Sequence, residues 1–215
     1  MMKVFLIGAN GQIGQRLVGL FQKDGTHTVR AMVRKQEQKE ALQAAGTEAV
    51  TANLEGSTED IAKAAQGCDA VVFAAGSGGS TGYDKTLLID LDGAAKAIEA
   101  AKSAGIDRFV MVSALQAHNR ENWNESLKPY YAAKHYADKI LEASGLTYTI
   151  IRPGGLLNDP GTGMVAAAVD LERGSISRED VAQTVLASLD EMNTHGKAFD
   201  LTAGGTPIRE ALKQV

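Results

Sequence analysis

The chain has 215 residues, of which 44% are hydrophobic and 22% charged, and its formal net charge is −4. This length and composition predict one globular domain with its own core. The negative balance argues against direct binding of nucleic acid or of an anionic membrane surface.

Short apolar runs alternate with longer amphipathic stretches along the whole chain. Runs of continuous apolar residues are typical of strands that are buried on both faces of a parallel sheet. The predicted strands are 3–7, 27–33, 48–52, 69–75, 108–113, 147–152 and 197–202. The predicted helices are about 12–23, 35–45, 58–66, 84–104 and 129–145, with one more beginning after a Ser177 cap. This order predicts a single-domain α/β protein, a Rossmann-like doubly wound parallel sheet with helices on both faces.

Three segments lie outside this alternation. Residues 114–129 are polar and irregular, and they are predicted to form either a lid with Trp123 as its apolar tip or a plain surface loop. Residues 153–163 are predicted to be a loop. The wider segment of about 153–176 is predicted to supply small elements on the substrate side of the domain.

The first predicted strand runs directly into the sequence GANGQIG, and a helix follows at once. Glycines in such a turn let the backbone approach a pyrophosphate, and the helix N-terminus offers free N–H groups. The turn therefore predicts a dinucleotide phosphate site. Its predicted contacts are Gly8, Asn10, Gly11, Gln12, Ile13 and Gly14.

The spacing of these glycines, G-x-x-G-x-x-G, resembles that of the extended and atypical branches of the short-chain dehydrogenase/reductase superfamily. Further motifs are similar to that family along most of the chain: VVFAAG (71–76), VMVSA (110–114), YYAAK (130–134), IRPGG (151–155) and SREDVA (177–182). The resemblance implies an NAD(P) cofactor. It implies cofactor contacts from Asn53, Leu54, Ala74, Ala75, Gly76, Pro153 and Gly154.

The choice between the two nicotinamide cofactors depends on the residues that follow the second strand. An NAD site usually carries an acidic residue ~20 positions beyond the glycine turn. This chain has Arg34 and Lys35 there. A guanidinium can hold a 2′-phosphate through paired hydrogen bonds, which favours NADP(H), with NAD(H) as the alternative. The two cations can also be solvated charges at the start of the second helix.

Tyr130 and Lys134 are four residues apart on a predicted helix and therefore lie on neighbouring faces. Periodicity alone favours a Tyr130 packed in the core and a Lys134 whose ammonium reaches water. The family resemblance implies instead that Tyr130 delivers a proton to a carbonyl oxygen. It implies that Lys134 stabilises the phenolate and holds the nicotinamide ribose, and that Ser113 donates a hydrogen bond to the same oxygen.

Localisation and metal binding are predicted from what the sequence lacks. The first apolar run breaks at Gly8, too early for a signal peptide, and no stretch approaches the ~20 apolar residues of a membrane span. The single cysteine, Cys68, cannot form an internal disulfide, which favours a reducing compartment. We therefore expect a cytoplasmic protein without a membrane partner. The scattered histidines predict no metal site.

Three functions remain open at this level. The first is an NADP(H)-dependent oxidoreductase that acts on a small carbonyl, quinone or flavin-like acceptor. The second is a redox-sensing NADP(H)-binding module without turnover, as in NmrA-like proteins. An exposed apolar patch around 154–168 would be its partner surface, or equally a substrate pocket of an enzyme. The third is an enzyme similar to sugar epimerases and dehydratases. The sequence leaves the substrate and the oligomeric state undetermined.

Overall fold

Nine strands form one mostly parallel sheet in the computed structural model, which describes residues 1–79 and 81–215. From one edge to the other, the strand order is β11-β8-β10-β6-β5-β4-β1-β2-β3. Only β8 runs antiparallel to its neighbours, β10 and β11, among the pairs in this described sheet. The strands are β1 (Lys3–Ile7), β2 (Thr28–Val33), β3 (Glu48–Thr51), β4 (Ala70–Phe73), β5 (Arg108–Val112), β6 (Thr147–Pro153), β7 (Gly155–Leu157), β8 (Met164–Ala168), β9 (Ser175–Ser177), β10 (Lys197–Ala203) and β11 (Thr206–Pro207).

Helices cover both faces of this sheet. They are α1 (Gln12–Asp24), α2 (Gln36–Ala44), α3 (Thr58–Ala65), α4 (Tyr83–Lys85), α5 (Asp92–Ser103), α6 (Lys128–Glu142), α7 (Arg178–Asp190) and α8 (Ile208–Ala211). Helices α1 and α7 pack together, and α3 packs on α5. The prediction of one continuous helix over 84–104 is only partly right, because a π-helical segment (Thr86–Leu91) precedes α5. Asp90 of this segment is buried in the interior.

The core consists of two apolar layers, one on each face of the sheet. Val4 and Leu6 of β1 belong to one layer, whereas Phe5 and Ile7 belong to the other. This division explains the continuous apolar runs of the central strands, since each face has its own helices to cover it. The predicted single-domain doubly wound architecture is confirmed.

The segment predicted as a loop at 153–163 is partly wrong. Residues of β7 pair in parallel with β9 in a separate two-stranded sheet, with Leu156 opposite Ile176. The three residues of β7 are all exposed, so no alternating pattern marks them in the sequence. Their pairing is set by the tertiary contact of Gly154 with Gly174, where a Cβ on Gly154 would lie 2.3 Å from the carbonyl oxygen of Gly174.

The fold brings the carboxyl ends of the central parallel strands to one edge of the sheet. Strand β1 pairs with β2 on one side and with β4 on the other, so the chain order reverses there. Ligands of open α/β sheets bind in the crevice at such a switch point. Among the described residues, no helix combines the length and the apolar character needed to cross a membrane.

Candidate active site

A cavity of about 350 Å³ lies at this switch point. Its walls come from the glycine turn after β1, the end of β2, the loop after β3 and the loop after β4. Eight of the predicted cofactor residues line it: Gly8, Asn10, Gly11, Arg34, Leu54, Ala74, Ala75 and Gly76. The structure therefore brings together predicted cofactor residues from four separate segments of the chain, whereas the predicted residues after β5 and β6 and on α6 do not line this cavity.

The glycine turn is shaped by contacts that leave no room for side chains. Gly8 has φ +91°, and a Cβ there would lie 2.6 Å from the backbone nitrogen of Ala75. A Cβ on Gly14 would lie 2.1 Å from the carbonyl oxygen of Gly8. Gly11 precedes α1 as its exposed N-cap residue, with no side chain capping the helix. The uncapped N–H groups of α1 fit an anionic ligand such as a pyrophosphate.

Two other residues of the turn lie differently from one another. Gln12 is exposed at the start of α1, whereas the side chain of Ile13 is buried in the core. Only the backbone of Ile13 can therefore face a ligand in the cavity.

Arg34 and Lys35 have different surroundings although they are adjacent. Arg34 is exposed and lines the cavity. Lys35 is the N-cap residue of α2, and its backbone N–H donates to Oε1 of Gln38 at 3.2 Å. The interpretation of Lys35 as a residue at a helix start thus agrees with its position, while Arg34 is the cation that reaches the cavity.

The wall beyond β3 contains an ion pair that sequence reasoning missed. Nζ of Lys85 lies 2.6 Å from Oε2 of Glu55, and both residues line the cavity. Asn53 is exposed, and its Oδ1 accepts from the N–H of Glu55 at 3.0 Å, which shapes the turn that buries Leu54. Lys85 and Glu55 are 30 residues apart, so no local pattern pairs them.

Tyr130 lies at the start of α6, half-buried, with its ring centroid 5.8 Å from that of Tyr131. Burial raises the pKa of the Tyr130 phenol well above its usual range, and the carboxylate of Asp90 adds to this effect. This direction is opposite to that expected from stabilisation of a phenolate by Lys134. Nζ of Lys134 donates to the carbonyl oxygen of Val112 at 2.9 Å.

Ser113 is buried at the end of β5, and its N–H donates to the carbonyl oxygen of Ile151 at 2.7 Å. Its Oγ has no partner at hydrogen-bond distance among the described residues. Asp138 lies near it and binds Nε of Arg152 at 2.8 Å through Oδ2. Burial raises the pKa of the Asp138 carboxyl, and the guanidinium of Arg152 and the hydroxyl of Ser113 oppose that effect.

The end of β6 contributes two further predicted cofactor residues. Pro153 is buried, and its carbonyl oxygen accepts from the N–H of Leu115 at 2.9 Å. The N–H of Gly154 donates to the carbonyl oxygen of Leu201 at 2.9 Å. Neither residue lines the cavity described above, whose walls lie on the β1–β4 side.

The loop 114–129 is anchored rather than free. Its first four residues are buried, and two 3₁₀ turns (Arg120–Asn122 and Glu125–Leu127) follow. Trp123 stacks on Tyr131 with ring centroids 6.1 Å apart, and its Nε1 donates to the carbonyl oxygen of Ala117 at 3.2 Å. The ring of Trp123, predicted to be the apolar tip of a lid or part of a plain surface loop, is therefore held against α6 by packing and to Ala117 by a hydrogen bond.

A second polar cluster lies at the same edge of the sheet, beside β6. Nδ1 of His118 lies 3.9 Å from Oδ1 of Asp200, a fully buried residue of β10. His118, Asp170 and Asp200 bring candidate ligand atoms within 4.8 Å of one another. The sequence predicts no metal site for the scattered histidines, of which His118 is one. No local signal could have joined it to Asp200, which is 82 residues later.

Comparison with known proteins gives consistent matches over the whole chain. The family described as NAD(P)H-binding matches residues 8–192. The chain is 79% identical over 214 residues, covering 100% of both proteins, to the uncharacterized sugar epimerase YhfK of Bacillus subtilis (strain 168). A candidate NAD-dependent epimerase/dehydratase of Bacillus halodurans superposes with a TM-score of 0.93 at 41% identity, with 100% of both chains covered. The oxidoreductase ylbE of Lactococcus lactis superposes with a TM-score of 0.90 at 33% identity, over 100% of this chain and 96% of that one.

Proposed function

The chain belongs to the NAD(P)H-binding family, and on this basis we propose that it is an NADP(H)-dependent reductase of a small carbonyl, quinone or flavin-like acceptor. Membership confirms the resemblance to atypical short-chain dehydrogenases/reductases and the use of a nicotinamide dinucleotide. The observation that carries the finer proposal is the cavity at the switch point, where the glycine turn and Arg34 line the same space.

Different residues bind different parts of the cofactor. The uncapped N-terminus of α1 binds the pyrophosphate through backbone N–H groups. Arg34 holds the 2′-phosphate, which an acidic residue at this position would repel. The bound cofactor supplies hydride. Lys134, with Asp90 near its ammonium, offers a donor and an acceptor to ribose hydroxyls at the carboxyl ends of β4 and β5.

The size of the substrate side supports a small acceptor. After β6, the elements beside the site are the short β7–β9 pair and one added strand, β8, rather than a separate lobe. Such elements suit a compact ligand. The hydroxyl of Ser113, which lies near Asp138 just after β5, would be the donor to an oxygen of that ligand.

A direct test combines cofactor titration with a panel of acceptors. NADPH and NADH would be titrated calorimetrically into the purified protein. NADPH oxidation would then be followed with 4-nitrobenzaldehyde, menadione and flavin mononucleotide. We expect tighter binding of NADPH and turnover with at least one acceptor class. Tight NADPH binding without turnover of any acceptor would favour the redox-sensing module instead.

The names of the first two relatives favour a second candidate, an epimerase. An epimerase returns the hydride to the same substrate, so its cofactor stays bound through the cycle. Retention of NAD(H) or NADP(H) through purification, with epimerisation of a free sugar and no net oxidation of NADPH, would favour this candidate over the reductase.

A further inference from the structure

The cluster around His118 lies where the proposed reductase would hold its acceptor. His118 follows Ser113 by five residues in the loop that leaves the carboxyl end of β5. Asp200 lies on β10, which is separated from β5 only by β6. The adenine half of the cavity lies on the other side of β4, toward β2 and β3. The cluster is therefore on the acceptor side of the site.

The histidine is held with one nitrogen inward. Nδ1 is buried and has no partner at hydrogen-bond distance among the described residues, and it lies 3.9 Å from Oδ1 of Asp200. The side chain as a whole is 26% exposed. Nε2 is thus the ring nitrogen left for a ligand, since Nδ1 faces inward toward the Asp200 carboxyl group.

Gln116 fixes the loop against the same carboxylate. It has φ +62°, and among the described residues it is the one non-glycine with positive φ. Its backbone N–H donates to Oδ1 of Asp200 at 3.3 Å and its Nε2 donates to Oδ2 at 3.2 Å. A left-handed conformation outside glycine persists where the surrounding contacts enforce it, often at functional sites.

The orientation of the Gln116 amide argues against a cation in this cluster. Nε2 also donates to the carbonyl oxygen of Leu171 at 2.7 Å and to the carboxylate of Asp170. Because a carbonyl oxygen can only accept, the NH₂ group must lie on this side. Its two hydrogens are shared among the carbonyl oxygen of Leu171 and the carboxyl groups of Asp170 and Asp200, so the amide faces both carboxyl groups as a donor and not as a metal ligand.

Two carboxyl groups lie close to the His118 side chain. Asp200 and Asp170 face it from β10 and from the segment after β8. Burial raises the pKa of Asp200, while the N–H groups of Leu171 and Gln116, His118 and the Arg152 guanidinium act against that effect. Of these two carboxyl groups, Asp200 is the one that Nδ1 of His118 faces at 3.9 Å.

We infer that His118 is the proton donor to the acceptor, and that Asp200 is its positioning residue. The inference rests on the proposed reductase function and specifies a carbonyl acceptor. The carbonyl carbon gains a hydride, with a reduced nicotinamide as the donor that is oxidised. The C=O π bond breaks, and the oxygen takes the proton of Nε2, so an alcohol forms. The neutral imidazole regains a proton from water. Tyr130, with its buried phenol, then serves as part of the wall.

The test uses the full chain with 4-nitrobenzaldehyde as the carbonyl probe. His118→Asn should lower kcat by roughly 10²–10⁴-fold, the usual contribution of general acid catalysis, while NADPH affinity stays unchanged. The matched control is His195→Asn, at the amino end of β10 on the opposite edge of the sheet, which should leave kcat unchanged. Asp200→Asn should lower kcat less than His118→Asn does, and it should have little further effect on kcat in the His118→Asn background.

A second readout does not depend on turnover. Diethyl pyrocarbonate labelling, resolved by mass spectrometry, should modify His118 faster than the buried His27 and His135. NADP⁺ together with 4-nitrobenzyl alcohol should protect His118, and NADP⁺ alone should protect it less. An unchanged kcat in His118→Asn, no protection by the alcohol, or loss of activity with EDTA that Zn²⁺ restores would each overturn the inference. Absence of NADPH binding in the unmodified protein would instead overturn the proposed function.

Discussion

Lys134 and Asp90 form a buried pair, with Nζ of the lysine 3.9 Å from Oδ1 of the aspartate and each side chain at most 3% exposed. Asp90 also accepts from the N–H of Ser77 at 3.0 Å through Oδ2. The pair joins the π-helical segment to α6 across the carboxyl ends of β4 and β5. It gives Lys134 a buried carboxylate neighbour that its spacing from Tyr130 in the sequence does not indicate.

The first prediction concerns this pair. Lys134→Met leaves the Asp90 carboxylate buried without its cation, and breaking a buried pair in this way costs about 3–5 kcal/mol. The double variant Lys134→Met/Asp90→Asn should recover part of the lost stability, because no charge is then left buried. Urea unfolding of the two single variants and the double variant measures this. A double variant less stable than both single variants would contradict the pairing.

Arg34 should set the preference between cofactors. Arg34→Ala removes a charge-assisted contact worth roughly 1.5–3 kcal/mol, so NADPH affinity should fall about tenfold or more while NADH affinity changes little. Lys35→Ala is the matched control, since Lys35 lies outside the cavity wall. Calorimetric titration of both cofactors decides the matter. Equal NADPH and NADH affinities in the unmodified protein would remove the basis for this role.

Two glycines of α1 should respond in opposite ways to the same change. Gly14→Ala places a methyl group 2.1 Å from the carbonyl oxygen of Gly8, so it should destabilise the turn and weaken binding of both cofactors. Gly19→Ala meets nothing within 4 Å and should stabilise the helix by about 0.5–1 kcal/mol. Denaturant unfolding and NADPH titration of each variant give the comparison. Similar effects from both changes would show that the turn geometry is not decisive.

The Tyr130 hydroxyl should contribute less to turnover than the family pattern YYAAK implies. Tyr130→Phe keeps the ring and its contact with Tyr131, so NADPH affinity should hardly change. If His118 supplies the proton, turnover of the carbonyl probe should also fall by less than the roughly 10²-fold minimum of general acid catalysis. Steady-state rates and cofactor titration measure both effects. A loss of rate in the full catalytic range would restore Tyr130 as the donor.

Asp138 should make the protein lose stability as pH rises from acid. Burial raises the pKa of Asp138 in the folded state, so the native protein binds more protons than the unfolded chain between these values. This contribution is fully present below the unfolded pKa of about 3.9 and is lost as pH rises through the raised folded value. Asp138→Asn removes it.

Urea unfolding across acid pH tests that sign. The free energy of unfolding should change with a more positive slope against pH in Asp138→Asn than in the unmodified protein. Its overall stability should still be lower, because Arg152 loses the carboxylate that its Nε binds. An identical slope in both proteins would mean that Asp138 titrates alike in the folded and unfolded chains.

Local patterns predicted the parts of the molecule that are local in sequence. The strand, glycine turn and helix at residues 3–24 depend on neighbours a few positions apart, and the observed elements follow the prediction closely. Arg34 could likewise be placed by counting from the turn. The class of cofactor and the architecture are confirmed, whereas the individual roles of the site residues remain predictions.

The rest depends on contacts between distant segments. The direction of Lys134 is set by Asp90, which the π-helical segment turns inward and which no periodicity marks. His118 acquires a partner only because β10 lies beside β6. The packing of Trp123 also depends on a contact with another segment, since its partner Tyr131 lies on the next helix. A pattern of residue types cannot reveal such geometry.

The two edge strands of the nine-stranded sheet affect how readily the protein aggregates at high concentration. Strand β11, at one edge, has two residues and ends in Pro207, which has no N–H to donate. Strand β3, at the other, has four residues, and its Glu48 is bound to Lys3 and Arg30. An exposed edge strand can pair with a strand of another chain, and such pairing leads to aggregation. The short, proline-containing β11 and the charged β3 both disfavour such pairing. Within the described chain, both edges of the sheet are therefore poor sites for fibre-like association.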